Sequence, residues 1–133
     1  MIYALDTNIV SYLLRKDKQT QKNFLTAVTD GYECITPPMV YYEIKRWLLL
    51  KKATAQLREF DKLCYGTSNM LMDISAWDKA VEINVSLTQK GKIIDEADIL
   101  IASYCLVNDY VLVTNNSRHF EEIDGLTYTN WKE

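Results

Sequence analysis

The chain has 133 residues, 48% of them apolar, and a formal net charge of −3. That describes one domain, spanning 1–133, able to bury its own core without covalent staples. The longest apolar stretches, such as 99–107, are too short to cross a bilayer. Three cysteines with no Cys-x-x-Cys pair argue against a disulfide framework or a zinc site.

Taken in order, residues 2–5 read as a short buried strand. Thr7 is placed to cap a helix running to about Arg15, which leaves Asp6 free to face outward. A second helix is expected over 19–28, stopped near Gly31. Residues 33–36 read as a second strand, and Pro37-Pro38 then opens a helix. Val40, Ile44, Trp47 and Leu48 lie on one side of that helix, at burial spacing. The helical pattern continues over 53–65, with Leu57, Phe60 and Leu63 as its stripe, and ends at Gly66. A third strand is expected over 69–73. Ser75 with Asp78 reads as a capping-box variant before a helix to Gln89, stopped by Gly91. Asp95 starts a helix carrying Ile99, Leu100, Ala102 and Leu106. The β-branched run 110–114 suits a buried parallel strand. A helical turn near 118–122 and a last strand near 126–128 complete the chain.

Strand–helix alternation of this kind predicts an α/β domain with a central, mostly parallel sheet flanked by helices in three layers. Ligands of such sheets bind beyond the carboxyl ends of the strands, near a topological switch point. Asp6 and the pair Asn115-Asn116 both fall just past strand ends, and so are expected to lie near one another.

Four acids distant in sequence stand where strands or turns meet helices: Asp6, Glu43, Asp95 and Asp98. Like charges held together raise one another's pKa unless a cation compensates. Oxygen ligands favour Mg²⁺ or Mn²⁺. Each residue also has a structural alternative. Asp6 suits a turn, Glu43 an exposed helix face, and Asp95 an N-cap with Asp98 complementing the helix dipole. Asn8 suits either a metal-bound water or a cap, and the run 114–120 suits water-mediated metal contact or phosphate positioning, or else a polar turn. His119 is the only histidine, read as a solvated group or a phosphate contact. The cysteines read as small buried apolar groups. Basic clusters at Arg15-Lys16-Asp17-Lys18, Lys45-Arg46 and Lys51-Lys52 read first as solvated helix faces. No Gly-x-Gly-x-x-Gly or Walker loop is present, and there is no Ser–His–acid set or zinc-protease helix. The acid layout also differs from that of a phosphoacceptor receiver domain.

Together these segments resemble the PIN-domain ribonucleases, most closely the VapC toxins of bacterial toxin–antitoxin pairs. Leu5-Asp6-Thr7-Asn8 is similar to the family's opening motif. Thr36-Pro37-Pro38 leading to Tyr42-Glu43-Ile44 resembles the second. Asp98-Ile99-Leu100-Ile101-Ala102 resembles the third, and Val113-Thr114-Asn115-Asn116 with Phe120 the fourth. Gly125-Leu126 followed by Asn130-Trp131 is similar to the family's ending. The resemblance implies metal ligation by Asp6, Glu43 and Asp98, with Asn116 as an amide member of the catalytic set and a further candidate ligand; Asp95 is an acid outside the core set, either a supplementary ligand or a cap. His119 departs from the pattern, because relatives often carry an acid there. Lys45-Arg46-Trp47 departs where many relatives have a small residue.

The resemblance further implies a Mg²⁺- or Mn²⁺-dependent endoribonuclease that leaves 5′-phosphate and 3′-hydroxyl ends. A tRNA anticodon loop is an expected target, with Arg118 or Lys45 positioning the backbone. A cognate antitoxin and a homodimer are also implied, with Trp47, Leu49 and Leu50 as interface residues if they are not core. Met1 runs straight into a strand-like segment with no basic leader, so a cytoplasmic location is expected. A rival reading, motivated by the missing acid at position 119, is a binding module whose acids dock a basic protein partner.

Overall fold

A computed structural model of the chain describes residues 1–65 and 71–133. Its elements are β1 (Ile2–Leu5), α1 (Thr7–Leu14), α2 (Lys18–Thr29), β2 (Glu33–Ile35), α3 (Pro38–Leu50) and α4 (Thr54–Cys64). They continue with α5 (Ile74–Gln89), α6 (Glu96–Asn108), β3 (Val111–Val113), a 3₁₀ turn (Ser117–His119) and β4 (Tyr128–Thr129). Among the described residues the four strands form one sheet in the order β2-β1-β3-β4, every neighbouring pair parallel. Helices flank it, as the alternation predicts.

Successive residues of a strand face opposite sides of a sheet. Ala4 and Leu5 are both fully buried, as are Leu112 and Val113, so helices cover both faces of the two central strands. The largest fully buried side chains are Tyr104, Phe60 and Phe120. Each such side chain contributes roughly 1.5–3 kcal/mol through burial. The buried residues of α6, including Ile99, Ile101, Ala102 and Cys105, run around the helix rather than along one stripe. That is the pattern of a helix enclosed by its neighbours.

Several local expectations are corrected. Asp6, not Thr7, is the N-cap of α1, and its carboxylate accepts the Thr7 N–H. Asp73, not Ser75, caps α5, accepting from the Ala76 N–H and the Ser75 hydroxyl. The helical run after Pro37 is two helices, because Lys52 adopts φ 56° between α3 and α4. The strand expected over 69–73 begins outside the described residues, as does the helix end at Gly66, and 71–73 are not in a strand. The last strand falls at Tyr128–Thr129, slightly beyond the expected place.

Strand order fixes where a site is built. From β1 the chain goes to β2 on one side, then returns to β3 on the other. The crevice beyond the carboxyl ends of β1 and β3 is therefore the switch point of the sheet. Register brings Leu5 opposite Val113, so the next residues, Asp6 and Thr114, leave the sheet side by side.

Candidate active site

A cavity of about 570 Å³ opens at this switch point, with Asp6, Glu43, Asp95, Asp98, Asn116 and His119 in its walls. Asp6 comes from the end of β1, Glu43 from the second turn of α3, and Asp95 and Asp98 from the start of α6. All five residues singled out from sequence as ligands or catalytic groups thus border one space. Asn8 borders it too.

Asp6 is the most enclosed of the acids, only 4% exposed. Its Oδ1 accepts the Thr7 N–H at 2.8 Å, and its Oδ2 accepts the Thr114 hydroxyl at 2.7 Å and the Asn8 amide at 3.4 Å. Thr114 in turn accepts the Asn116 N–H at 3.0 Å. Asn116 therefore reaches Asp6 through a buried hydroxyl. Nearby, Asn8 accepts the Asn115 N–H at 3.0 Å, tying the start of α1 to the end of β3. Sequence places Thr114 only within the polar run 114–120, not as a partner of Asp6. Its signal was present in the register: a hydroxyl residue ending β3, opposite an acid ending β1.

Burial pushes the Asp6 carboxyl above its ordinary pKa. The Thr114 and Thr7 hydrogen bonds pull it back, and the charges of Asp98 and Glu43 push it up again. Asp98 is also raised, mainly by burial. His119 opposes that shift, while Asp95 and Glu43 add to it. Asp6 and Asp98 thus both feel the negative charge gathered around the cavity.

His119 Nδ1 and Asp98 Oδ2 are hydrogen-bonded at 2.8 Å. The residue expected to be a missing acid is therefore a direct partner of one of the acids. Asp95 occupies the N-cap position of α6, but its side chain makes no capping hydrogen bond. Its capping alternative is not realised. Lys45 is turned away, bonded to the Tyr41 hydroxyl at 2.9 Å and paired with Asp61 at 3.8 Å. Arg118 borders adjacent depressions rather than the main cavity. The cations in the main cavity are instead Arg15 and Arg46, which sequence placed in solvated clusters.

Hard oxygen donors that are partly desolvated and mutually repelling suit a divalent cation. Among the described residues, however, no three carboxylate, imidazole or thiolate groups form a ready-made ligand cluster. Mg²⁺ characteristically binds one or two carboxylates and completes its shell with waters and substrate phosphates. An open, acid-lined cavity fits that mode better than it would fit a closed Ca²⁺ or Zn²⁺ cage. The thiols stand apart from it: burial pushes Cys34 up to about 11, and Cys105 is raised for the same reason.

The parallel sheet, with carboxylates gathered at its switch point, defines an α/β domain with an open, acid-lined crevice. Residues 3–126 match the PIN domain model, and the chain belongs to the PIN-domain family. Among curated relatives it is 33% identical to Ribonuclease VapC2 of Rickettsia felis, over 98% of each chain. It is 26% identical to the tRNA(fMet)-specific endonuclease VapC of Shigella flexneri, over 97% of each. Among solved structures it superimposes on VapBC2 of Rickettsia felis bound to a promoter DNA fragment, with a TM-score of 0.84. That match has 27% identity and covers 98% of this chain and 99% of the other. Among the described residues no helix is long and apolar enough to cross a membrane.

Proposed function

We propose that residues 1–133 act as one PIN domain, an endoribonuclease of the VapC type that requires Mg²⁺ or Mn²⁺. The observation that supports this most directly is the convergence of Asp6, Glu43 and Asp98, from three separate elements, on one cavity at the sheet's switch point. In this reading those three carboxylates hold the cation, with Asp95 and Asn116 at its margin. When bound, such an ion lowers the pKa of a coordinated water and neutralises charge on the attacked phosphate.

The protein's own contribution is positional. Thr114 and the Thr7 N–H fix the orientation of Asp6, and His119 restrains Oδ2 of Asp98 and so orients its carboxylate. The enclosure of Asp6 keeps bulk water away from the deepest ligand. In-line attack by water leaves a 5′-phosphate and a 3′-hydroxyl. The relative named as tRNA(fMet)-specific makes tRNA the favoured substrate class for this chain, and unpaired anticodon-loop nucleotides are its readable part. The VapBC likeness supports a cognate antitoxin as partner. We further assign the chain to the cytoplasm and to a homodimer, for which the exposed Leu49 and Leu50 of α3 are suitable contacts.

Incubation of purified chain with tRNA and Mn²⁺, followed by end mapping, tests this reading. Discrete cuts with 5′-phosphate ends are expected, lost in Asp6→Asn. Intact RNA under these conditions would falsify it and favour the binding-module alternative.

A further inference from the structure

Acids that suit a cation repel a polyanion. A chain of net charge −3 that engages RNA at this cavity therefore needs cations aimed into it. Two of its helices supply them by the same device. On α1, Asn8, Ser11 and Tyr12 line the cavity, and Arg15, at the C-cap, continues that face. On α3, Met39, Tyr42, Glu43 and Arg46 do so. Both sets follow the i, i+3/i+4, i+7 rhythm of a single helix face. Each ends in an arginine held over a tyrosine of its own helix. The Arg15 guanidinium lies 4.9 Å from the Tyr12 ring centroid, and that of Arg46 lies 5.6 Å from the Tyr42 ring.

Neither arginine is in an ion pair among the described residues, although carboxylates share the cavity. Cation–π stacking orients a guanidinium without consuming its charge. Tyr42 is 67% exposed. The Tyr12 ring is engaged further: Lys132 Nζ lies 4.6 Å from its centroid, and its hydroxyl accepts from Asn115 Nδ2 at 3.3 Å. One wall is thus a cationic post braced by the C-terminal segment. The other is an open aromatic–guanidinium surface one turn from Glu43.

We propose that Arg15 with Tyr12 and Arg46 with Tyr42 are the two jaws that hold single-stranded RNA across the carboxylates, Arg15 on backbone phosphate and Arg46–Tyr42 on phosphate and an unpaired base. The inference rests on the ribonuclease reading and deepens it by assigning the substrate-holding residues and their preference for unpaired strands. Unpaired bases stack on exposed tyrosine and arginine planes, whereas a duplex keeps its bases inside.

The test is fluorescence anisotropy of the full chain in EDTA, so that nothing depends on cleavage. The probes are a labelled unstructured RNA and the same strand annealed to its complement. Single strand is expected to bind more tightly than duplex. Arg15→Ala and Arg46→Ala each weaken single-strand binding about ten-fold, as loss of a charge-assisted contact does. Arg46→Lys restores only part of that, keeping charge but not the planar stack. Arg58→Ala, the same charge change on α4 away from the cavity, serves as the control. Losses no larger than those of Arg58→Ala, or duplex bound as tightly as single strand, overturn the assignment. If the arginine pattern appears but no RNA is cut with Mn²⁺, the jaws stand and the nuclease reading falls. If RNA is cut and KM is unchanged in both arginine variants, the reverse holds.

Discussion

At the scale of single residues, Asp98 carries opposing demands. Its folded pKa is raised, so its charged form is held at a disadvantage. That penalty is absent below the ordinary carboxylate range and is fully present at neutral pH. Asp98→Asn is therefore expected to raise the melting temperature in EDTA at pH 7, with the gain vanishing as the pH falls below about 4. The same variant should lose any Mn²⁺-induced rise in melting temperature. A native chain less stable with Mn²⁺ than without would contradict this. His119→Ala leaves the ligands in place but frees Asp98, and calorimetric titration should show Mn²⁺ affinity reduced about 10–100-fold. Thr114 is fully buried and donates to a buried carboxylate. Thr114→Val keeps the shape but removes that donor, and chemical denaturation should show a loss of roughly 1–3 kcal/mol. That Asp6, Glu43 and Asp98 border one crevice could be anticipated from sequence, because Asp6 follows a strand, Asp98 lies in the first turn of a helix and Glu43 lies one turn past the Pro37-Pro38 helix start. His119 and Thr114 were not legible as partners. Their meaning depends on which side chain faces them across the crevice, and that is set by register and helix placement.

At the scale of elements, helix starts were misplaced by one or two residues wherever two polar residues competed to cap. Asp6 competes with Thr7, and Asp73 with Ser75. Spacing along the chain does not say which side chain turns back onto the helix, whereas the alternation that defines the sheet survived such shifts. The continuous helix expected after Pro37 failed for a different reason. Lys52 takes a left-handed conformation that only glycine adopts without penalty, so sequence gave no warning of a turn there. Lys52→Gly is expected to stabilise the α3–α4 junction by about 1 kcal/mol in thermal unfolding. The C-terminal segment is similarly fixed by contacts that local pattern does not reveal. Asn23 donates to the Trp131 carbonyl at 2.7 Å, and Lys132 Nζ meets Asp17, the N-cap of α2, at 2.9 Å. Hydrogen bonds from Lys132 and Thr20 lower the Asp17 pKa to about 2. The stabilisation from Asp17 is thus present above the ordinary carboxylate pKa and is lost as the pH falls through about 2. Asp17→Asn keeps a capping side chain but no charge. Its melting temperature should lie below that of the native chain at pH 5 and converge with it towards pH 2. A gap that stays constant across that range would show that the ion pair contributes nothing.

At the scale of the whole molecule, charge distribution matters more than charge balance. The net value of −3 describes a chain that repels RNA at long range, yet Arg15 and Arg46 face the cavity. Salt acts on these two features in opposite directions. Each phosphate neutralised by a cation makes binding weaken with salt, contributing a slope of about −0.7 in log K against log salt for a single strand. Screening of the overall repulsion works the other way and flattens the slope. Two arginine contacts therefore predict a slope no steeper than about −1.4 for unstructured RNA in EDTA, shallower by about 0.7 in each single arginine variant. A protein coating RNA through a broad basic face would instead give a slope several times steeper. A steep slope that survives removal of both arginines would place the RNA on another surface. A shallow slope abolished with them would tie substrate capture to the same crevice that gathers Asp6, Glu43 and Asp98.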